Sequence, residues 1–277
     1  MLIHVRLVLK NETTNHLKMQ NVKMQNVQKP GLIRVGRCTY DNTGRRTDPS
    51  FKGFTNIVVM MKSHSAYGVL GPYELRDERG RILENIWQAS KVYKCVPKTT
   101  QHYSRYDKTV IWEHPEEEHV RDDGTLTPEY YAWRKKLVEN ACPVRYPVGF
   151  DGRHKCLYAL RETATGEIDP FQCLNYIQGR KLIYVPEYTR LVKQHSKFSE
   201  LQKRIQNGEN ILIVEVDGPH QESLSYYTKV YQVEPDFIVN GTVLASERNL
   251  GILLNDASHP YGHGFCLAAA LLDIEVE

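Results

Sequence analysis

The sequence predicts an α+β fold: a single, mainly helical domain with a small sheet. Three observations lead to this prediction. Residues 210–217 (Asn-Ile-Leu-Ile-Val-Glu-Val-Asp) form an apolar, β-branched run typical of a buried strand. Other segments carry apolar residues at helical spacing behind capping residues. Helices and strands do not alternate regularly, which favours α+β over a parallel α/β fold.

The first 35 residues are predicted to be an appendage to this domain, which spans 36–277. Residues 2–9 alternate in the manner of an edge strand, and 18–27 are two tandem copies of Lys-Met-Gln-Asn-Val. So short a repeat is no solenoid unit, and a duplication in a tolerant terminus explains it.

Local patterns predict the elements of the domain in chain order. The predicted strands and extended pieces are 54–61, 146–149, 155–161 and 210–217, with a hairpin at 74–83 that turns at 77–80. The predicted helices are 84–93, 127–138, 169–184, 186–207, 224–231 and 265–274. Thr127 and Asp169 are expected N-caps, each followed by proline, and Gly208 an expected C-cap. Loops are expected at 67–73 and 101–120, a strand or turn at 237–243, and a helix or strand at 248–254.

The composition is that of an ordinary globular chain. Its 277 residues are 41% hydrophobic and 25% charged. No stretch approaches the roughly 18 uncharged apolar residues of a membrane span, and the N-terminus lacks the apolar centre of a secretory signal. A net charge of +3 is too small to indicate nucleic-acid binding by itself. We expect a soluble, cytoplasmic protein.

The six cysteines give no sign of a metal centre. No Cys-x-x-Cys pair is present, so the zinc-finger pattern of a cysteine pair followed by a histidine pair does not occur. Since cytosolic chains rarely keep disulfides, we expect buried free thiols and no metal site.

The first candidate for chemistry is the predicted helix that begins at Glu84. Glu84, Gln88 and Lys91 fall at i, i+4 and i+7, so they share one helical face. A carboxylate beside a lysine can be tuned as a general acid or base when it is partly desolvated. An exposed amphipathic helix with ordinary surface charges explains the same pattern.

Two further segments combine polar groups with expected burial. Glu215 and Asp217 lie at the C-terminal end of the apolar strand, and strand alternation puts both side chains on the same face of the sheet. They could border a binding crevice at that end, or Asp217 could simply cap a turn. The loop 255–264 contains Gly262 and Gly264 just before a helix, and helix N-termini attract phosphate, although a plain loop fits equally well. Motifs for triphosphate hydrolysis, serine hydrolysis and zinc proteolysis are not present in the sequence.

Together these segments resemble the NADAR family (NAD- and ADP-ribose-associated domains). The stretch Glu84-Asn-Ile-Trp-Gln-Ala-Ser-Lys91 is similar to the family's Glu-His-Ala-Tyr-Gln-Ala-x-Lys. Further matches, in the family's order, are the loop 69–73, Trp133-Arg134, Lys197-Phe198 with Leu201, Ile213-Val-Glu215, Tyr261-Gly-His-Gly264 and the helix 267–272. Gly71 stands where the family has asparagine, Tyr261 where it has tryptophan, and 98–130 and 140–170 look like insertions.

The resemblance implies hydrolysis of an N-glycosidic bond in an ADP-ribose-like or nucleotide-like substrate, such as ADP-ribose attached to guanine bases, including those in nucleic acid. Such cleavage passes through an oxocarbenium-like state that a carboxylate stabilises. The implied catalytic residues are Glu84, Lys91, Glu215 and Asp217. The implied substrate-binding residues are Tyr73, Trp87, Gln88, Trp133, Asp256, Tyr261, Gly262 and Gly264. No cofactor, metal or membrane partner is implied.

Two other functions fit the sequence. The same pocket could retain ADP-ribose or NAD without cleaving it. Alternatively, the protein serves as an interaction partner through its 17 tyrosines and its basic residues. That last hypothesis predicts a Glu84 carboxylate that faces solvent.

Overall fold

The structure is a computed structural model that describes residues 29–60, 65–99, 112–163 and 165–275. Within these ranges the chain mixes helices with small sheets, which confirms the α+β class. The predicted edge strand 2–9 and the tandem repeat 18–27 lie outside the described residues. Among the described helices, none is both long enough and apolar enough to cross a membrane.

A four-stranded sheet forms the centre of the fold, and three small two-stranded pairings surround it. The strands are β1 (Ile33–Arg37), β2 (Thr39–Tyr40), β3 (Arg46–Thr47), β4 (Thr55–Val58), β5 (Lys91–Val92), β6 (Cys95–Val96), β7 (Glu117–Glu118), β8 (Tyr158–Ala159), β9 (Ile211–Glu215) and β10 (Thr242–Leu244). The central order is β10-β1-β9-β4. β1 and β4 both run parallel to β9, whereas β10 runs antiparallel to β1.

The helices pack around this sheet. They are α1 (Leu83–Ala89), α2 (Pro128–Val138), α3 (Tyr176–Gly179), α4 (Val185–Val192), α5 (Ser196–Gln206), α6 (Leu224–Tyr231), α7 (Glu247–Asn255) and α8 (His263–Leu272). A π-helical turn, Arg180–Tyr184, joins α3 to α4. Because α8 is apolar on all sides, it is buried, and it contacts β1, β9 and α4.

The protein has two principal apolar clusters. The larger contains β9 with the inner faces of α4, α5, α7 and α8. The second lies beside it, where α2 packs on α1, and it includes the buried indoles of Trp112 and Trp133. Much of the second cluster comes from described residues of the segments 98–130 and 140–170, which the family resemblance marks as insertions, so those residues pack as part of the fold.

Several predicted elements are confirmed. The strand 210–217 is β9, and the hairpin turns at Asp77, whose carbonyl accepts from the N–H of Gly80. The hydroxyl of Thr127 accepts from the N–H of Tyr130 and caps α2 as predicted. Gly208 has a φ of +81° directly after the end of α5, as a C-terminal glycine does.

Other helix boundaries were wrong. The helix predicted at 84–93 ends at Ala89, because Lys91 begins β5 and pairs with Ala159. Asp169 caps no helix; Asn175 does, through a reciprocal capping box with Gln178. The helix predicted at 186–207 is broken before Ser196 into α4 and α5.

Of the two predicted extended pieces, 155–161 contains β8, whereas 146–149 forms no strand. Residues 146–149 form a turn, since Tyr146 has a φ of 54° and its carbonyl accepts from Gly149. Residues 33–35, predicted to belong to the appendage, open the central strand β1. All six cysteines are free thiols, but only Cys38 and Cys266 are buried.

Candidate functional site

The candidate site lies at the carboxyl ends of the parallel strands, where ligands commonly bind in such sheets. Glu215 is the last residue of β9 and Asp217 follows two residues later. Arg37 ends the neighbouring strand β1, and its guanidinium donates to the carbonyl of Gly218 at 2.9 Å. The same edge therefore gathers the carboxylates that the sequence singled out.

Glu215 is completely buried and has a full set of partners. Its Oε2 accepts from the N–H of Gly264 at 2.7 Å and lies 2.9 Å from Nδ1 of His263, while Oε1 accepts from the N–H of Val216 at 2.7 Å. Burial alone would raise the pKa of this carboxyl, but His263 and the N–H donors outweigh it, so the pKa is lowered. A helix N-terminus favours a negative charge, and at α8 the carboxylate of Glu215 supplies it.

His263 completes this ion pair. Its Nε2 lies 2.8 Å from the carbonyl of Val59, just after β4, so both ring nitrogens have acceptors. Burial disfavours the charged ring, yet the carboxylate of Glu215 dominates and the pKa of His263 rises to about 8. The pair ties α8 to the ends of two strands.

The polar face of α1 is buried, which excludes the exposed amphipathic helix. Glu84 and Gln88 are 7% and 5% exposed. The amide of Gln88 donates to Oε1 of Glu84 at 2.8 Å, and Nζ of Lys91 donates to Oε1 of Gln88 at 3.0 Å. The three predicted residues therefore form one chain of contacts, although Lys91 stands on β5 rather than on the helix.

Asn85, which the sequence analysis did not select, holds a loop against α1. This buried side chain donates to the carbonyls of Asn140 and Cys142, and it accepts from the N–H of Val144 at 2.7 Å. The next residue is Arg145. Asn85 thus fixes the segment that brings a second cation to the site.

Arg145 and Asp217 interact electrostatically within the site. Nη2 of Arg145 donates to the hydroxyl of Tyr146 at 2.9 Å. Burial opposes the charge of Arg145, but the charges of nearby groups, Glu84 and Asp217 among them, outweigh burial and raise its pKa. Burial and the charge of Glu215 raise the pKa of Asp217 to about 6, although Arg145 and His263 counteract them. Asp217 is the carboxyl of this group that is poised to change protonation near neutral pH.

Aromatic rings border the same region. The ammonium of Lys91 lies 4.8 Å from the centroid of the Trp87 ring, and Trp87 packs against Tyr184 at 5.4 Å. Tyr184 ends the π-helical turn, a distortion that often marks functional sites. The partly exposed groups here are Trp87, Lys91, Arg145, Tyr146 and Asp217, and behind them lie the buried Glu84, Gln88, Glu215 and His263.

Burial also affects the cation at this border. Desolvation lowers the pKa of Lys91, even though Glu84, Cys156 and Asp217 act in the opposite direction. The site therefore combines two cations with carboxylates of different burial, an arrangement typical of acid–base chemistry.

The loop before α8 holds its predicted residues in structural roles. Asp256 is fully buried and accepts from the hydroxyls of Tyr226 and Tyr227 and from the N–H of Ser258. Tyr261 packs in the main core on Phe265. A Cβ on Gly262 would come within 2.8 Å of Cβ of Asp217, so this position needs glycine to let the acidic strand end approach.

Two other predicted residues differ in their surroundings. Tyr73 is buried and contributes to the electrostatic environment of Arg145. Trp133 instead lies in the second core, 5.9 Å from Trp112 between ring centroids. A surface depression of about 350 Å³, lined by residues that include Arg76 and Asn140, contains none of the catalytic or substrate-binding residues selected from the sequence.

Neither protein-family models, nor curated proteins, nor solved structures matched the chain. The resemblance to the NADAR family therefore rests on its motifs alone. Of the residues that these motifs select, the structure brings Glu84, Gln88, Lys91, Glu215 and Asp217 to one region, and it adds Asn85, Arg145, Tyr146 and His263.

The sequence held a signal for some of the missed residues. Asn85 is a polar side chain next to Glu84 in an otherwise apolar helical stretch, and His263 sits inside the Gly-x-Gly motif. Arg145 had no such signal, because it reaches the site only through the contacts of Asn85 with a distant loop.

Proposed function

We propose that this protein hydrolyses an N-glycosidic bond between a ribose and a base or amine, in an ADP-ribose-like or nucleotide-like substrate. The observation that carries the proposal is the partly exposed Asp217, whose pKa is raised to about 6, in a region where the charges of both Asp217 and Glu84 act on Lys91 and Arg145. Carboxyl groups of different protonation around one site are what glycosidic hydrolysis requires.

In the proposed reaction Asp217 is the general acid. Its carboxyl donates a proton to the departing nitrogen as the C1′–N bond breaks and the bonding pair leaves with that nitrogen. Water adds to C1′, and its proton returns to Asp217. One water is consumed, and the products are a free sugar hydroxyl and a base or amine.

Glu84 is proposed to stabilise the positive charge that develops on the ribose. A buried carboxylate acts strongly on such a charge, because little water screens it. Gln88 fixes the orientation of the carboxylate by donating to Oε1. Lys91 and Arg145 supply the positive charge that phosphate groups of the substrate need, and Trp87 and Tyr146 offer rings on which a base can stack.

In this proposal Glu215 is a positioning residue, whereas the resemblance to the NADAR family implies a catalytic residue. It has no exposed surface, and its oxygens are occupied by N–H groups and His263. It acts as a positioning residue that raises the pKa of Asp217 by its charge. The N–H of Gly264 is likewise engaged with Glu215, so the cations are the better candidates for binding phosphate.

The test is turnover of ADP-ribosylated guanosine by the full chain, followed by chromatographic separation of the released base. Glu84→Gln keeps the shape of the side chain and removes its charge, and we expect a loss of roughly 10²–10⁴-fold in kcat. Asp217→Asn should lose a similar amount. The matched control is Asp122→Asn, whose carboxylate is exposed at the surface beside Lys94.

The pH profile tests the role of Asp217 separately. As a general acid with a pKa near 6, it should make kcat decline as pH rises above about 6. That limb should vanish in any residual activity of Asp217→Asn. Unchanged turnover in both variants would refute the assignment.

Calorimetric titration with ADP-ribose separates the remaining possibilities. Binding without turnover would replace hydrolysis by retention of ADP-ribose or NAD. The hypothesis of a mere interaction partner required a solvent-facing Glu84, and the 7% exposure of this residue speaks against it. Failure to bind or cleave would overturn the proposal as a whole.

A further inference from the structure

A second group of titratable side chains lies in the other core, apart from the proposed catalytic residues. His114, Glu117 and His119 come from one short stretch that includes β7: His114 precedes the strand, Glu117 lies on it and His119 follows it. One nitrogen from each histidine and one carboxylate oxygen all lie within 4.8 Å of one another. His114 is 4% exposed, His119 is not exposed, and Glu117 is partly buried.

The distances between these atoms match those of metal ligands. Oε2 of Glu117 lies 3.1 Å from Nε2 of His114 and 3.6 Å from Nε2 of His119. A tetrahedral zinc ion with bonds of about 2.0–2.1 Å keeps its ligand atoms roughly 3.3 Å apart. The three groups therefore need only small movements to share one ion.

The hydrogen bonding of these residues is incomplete without a ligand. Among the described residues, neither ring nitrogen of His119 nor Nδ1 of His114 has a hydrogen-bond partner, and Oε2 of Glu117 lies within hydrogen-bond distance only of Nε2 of His114, at 3.1 Å. Buried polar atoms in native proteins are almost always paired, so such a concentration of exceptions needs a cause. Ligation of a metal would satisfy several of these atoms at once.

The burial of the two histidines is also suited to ligation. An imidazole binds metal in its neutral form, and both rings lie where burial disfavours the charged form.

The surrounding structure holds the group in place. The N–H of His119 donates to the carbonyl of Lys94, and its own carbonyl accepts from Thr127, the cap of α2. The backbone of His114 pairs in both directions with Thr99. The ring of His119 lies 4.9 Å from that of Trp133, in the apolar setting usual for a structural site.

We propose that His114, Glu117 and His119 bind a divalent transition-metal ion, with Zn²⁺ the best fit to two imidazoles and one carboxylate. The ion would cross-link the connection before β7, which carries His114, to β7 and to His119 directly after it, and so stabilise the second core. This site is independent of the proposed glycosidase centre.

The test is metal binding by the full chain after removal of metal with a chelator. Titration with Zn²⁺ against a chromophoric competitor should give one ion per chain. Co²⁺ in the same site should show the intense visible absorption of tetrahedral coordination.

Glu117→Gln is the decisive variant, since it keeps the side-chain shape at a partly exposed position while removing the charged ligand. We expect Zn²⁺ affinity to fall on the order of 100-fold, with the fold retained by circular dichroism. Zn²⁺ should raise the Tm of the wild type and leave that of Glu117→Gln nearly unchanged. His154→Ala, at an exposed histidine, is the matched control and should bind as the wild type does.

Two results would overturn the proposal. One is the absence of stoichiometric binding by the metal-free wild type. The other is wild-type affinity in Glu117→Gln together with loss of binding in Cys95→Ser, which would assign the ion to an exposed thiol on β6. Neither result depends on glycosidase activity.

Discussion

The ion pair between Glu215 and His263 gives a quantitative prediction about stability. In Glu215→Gln the amide keeps one acceptor but turns N–H donors toward Gly264 or Val216, and the His263 ring loses its anion. Removing one partner of a buried pair costs about 3–5 kcal/mol. We expect that loss in the free energy of unfolding at pH 7, measured by urea denaturation.

The pH dependence of stability tests the cause. The pKa of His263 is about 8 in the folded protein, against an ordinary value of 6.5. The difference of 1.5 units, at about 1.36 kcal/mol each, corresponds to about 2 kcal/mol. Because the pKa is raised on folding, this stabilisation is complete below the unfolded value of 6.5. It is lost as pH rises through 8.

The Glu215→Gln variant should lack this pH dependence of stability. Without Glu215 the burial of the ring dominates and the pKa of His263 falls, so stability no longer declines between pH 6.5 and 8. Urea unfolding of both proteins across this range measures the difference, and Glu234→Gln, at an exposed carboxylate, serves as control. A decline as steep in Glu215→Gln as in the wild type would refute the reasoning.

Four other predictions concern single positions. Gly262→Ala should lower the free energy of unfolding, measured by urea denaturation, by about 1–3 kcal/mol, because its Cβ would come within 2.8 Å of Cβ of Asp217. Gly251→Ala, with nothing within 4 Å of its Cβ, should instead stabilise α7 by about 0.5–1 kcal/mol. Thr127→Ala removes the cap of α2 and should cost about 1 kcal/mol in thermal unfolding, whereas an unchanged Tm would contradict the capping role. Asp256→Asn should cost about 1–3 kcal/mol by the same assay, since an amide nitrogen cannot accept from the tyrosine hydroxyls.

Local physical rules were sufficient for much of the fold. The run that forms β9 is apolar from Ile211 to Val214 because both faces of the strand are buried, so its pattern was unambiguous. The start of α2 was equally clear, because a threonine cap followed by proline has few other uses. The strand β1 was missed because its pairing partners lie far along the chain, and no local pattern encodes such pairing.

The residues of the candidate site could likewise be predicted only in part. Glu84, Gln88 and Lys91 could be grouped from their spacing, and they do contact one another, but β5 rather than the helix carries Lys91. Competition between helix continuation and pairing with β8 depends on tertiary contacts that spacing cannot reveal. Arg145 enters only through the hydrogen bonds of Asn85 to a loop more than fifty residues away.

The arrangement of the central sheet has a consequence for how the protein folds. β9 pairs on one side with β1, with Ile33 opposite Ile211, and on the other with β4. During synthesis, β1 and β4 must therefore wait for most of the chain before they meet the strand that joins them. Contacts between residues so distant in sequence slow folding. The chain loses conformational entropy when the long loop closes, before strand pairing provides any stabilising free energy. Until then the two early strands keep unpaired edges open to other chains, a state in which a chaperone would give the greatest benefit.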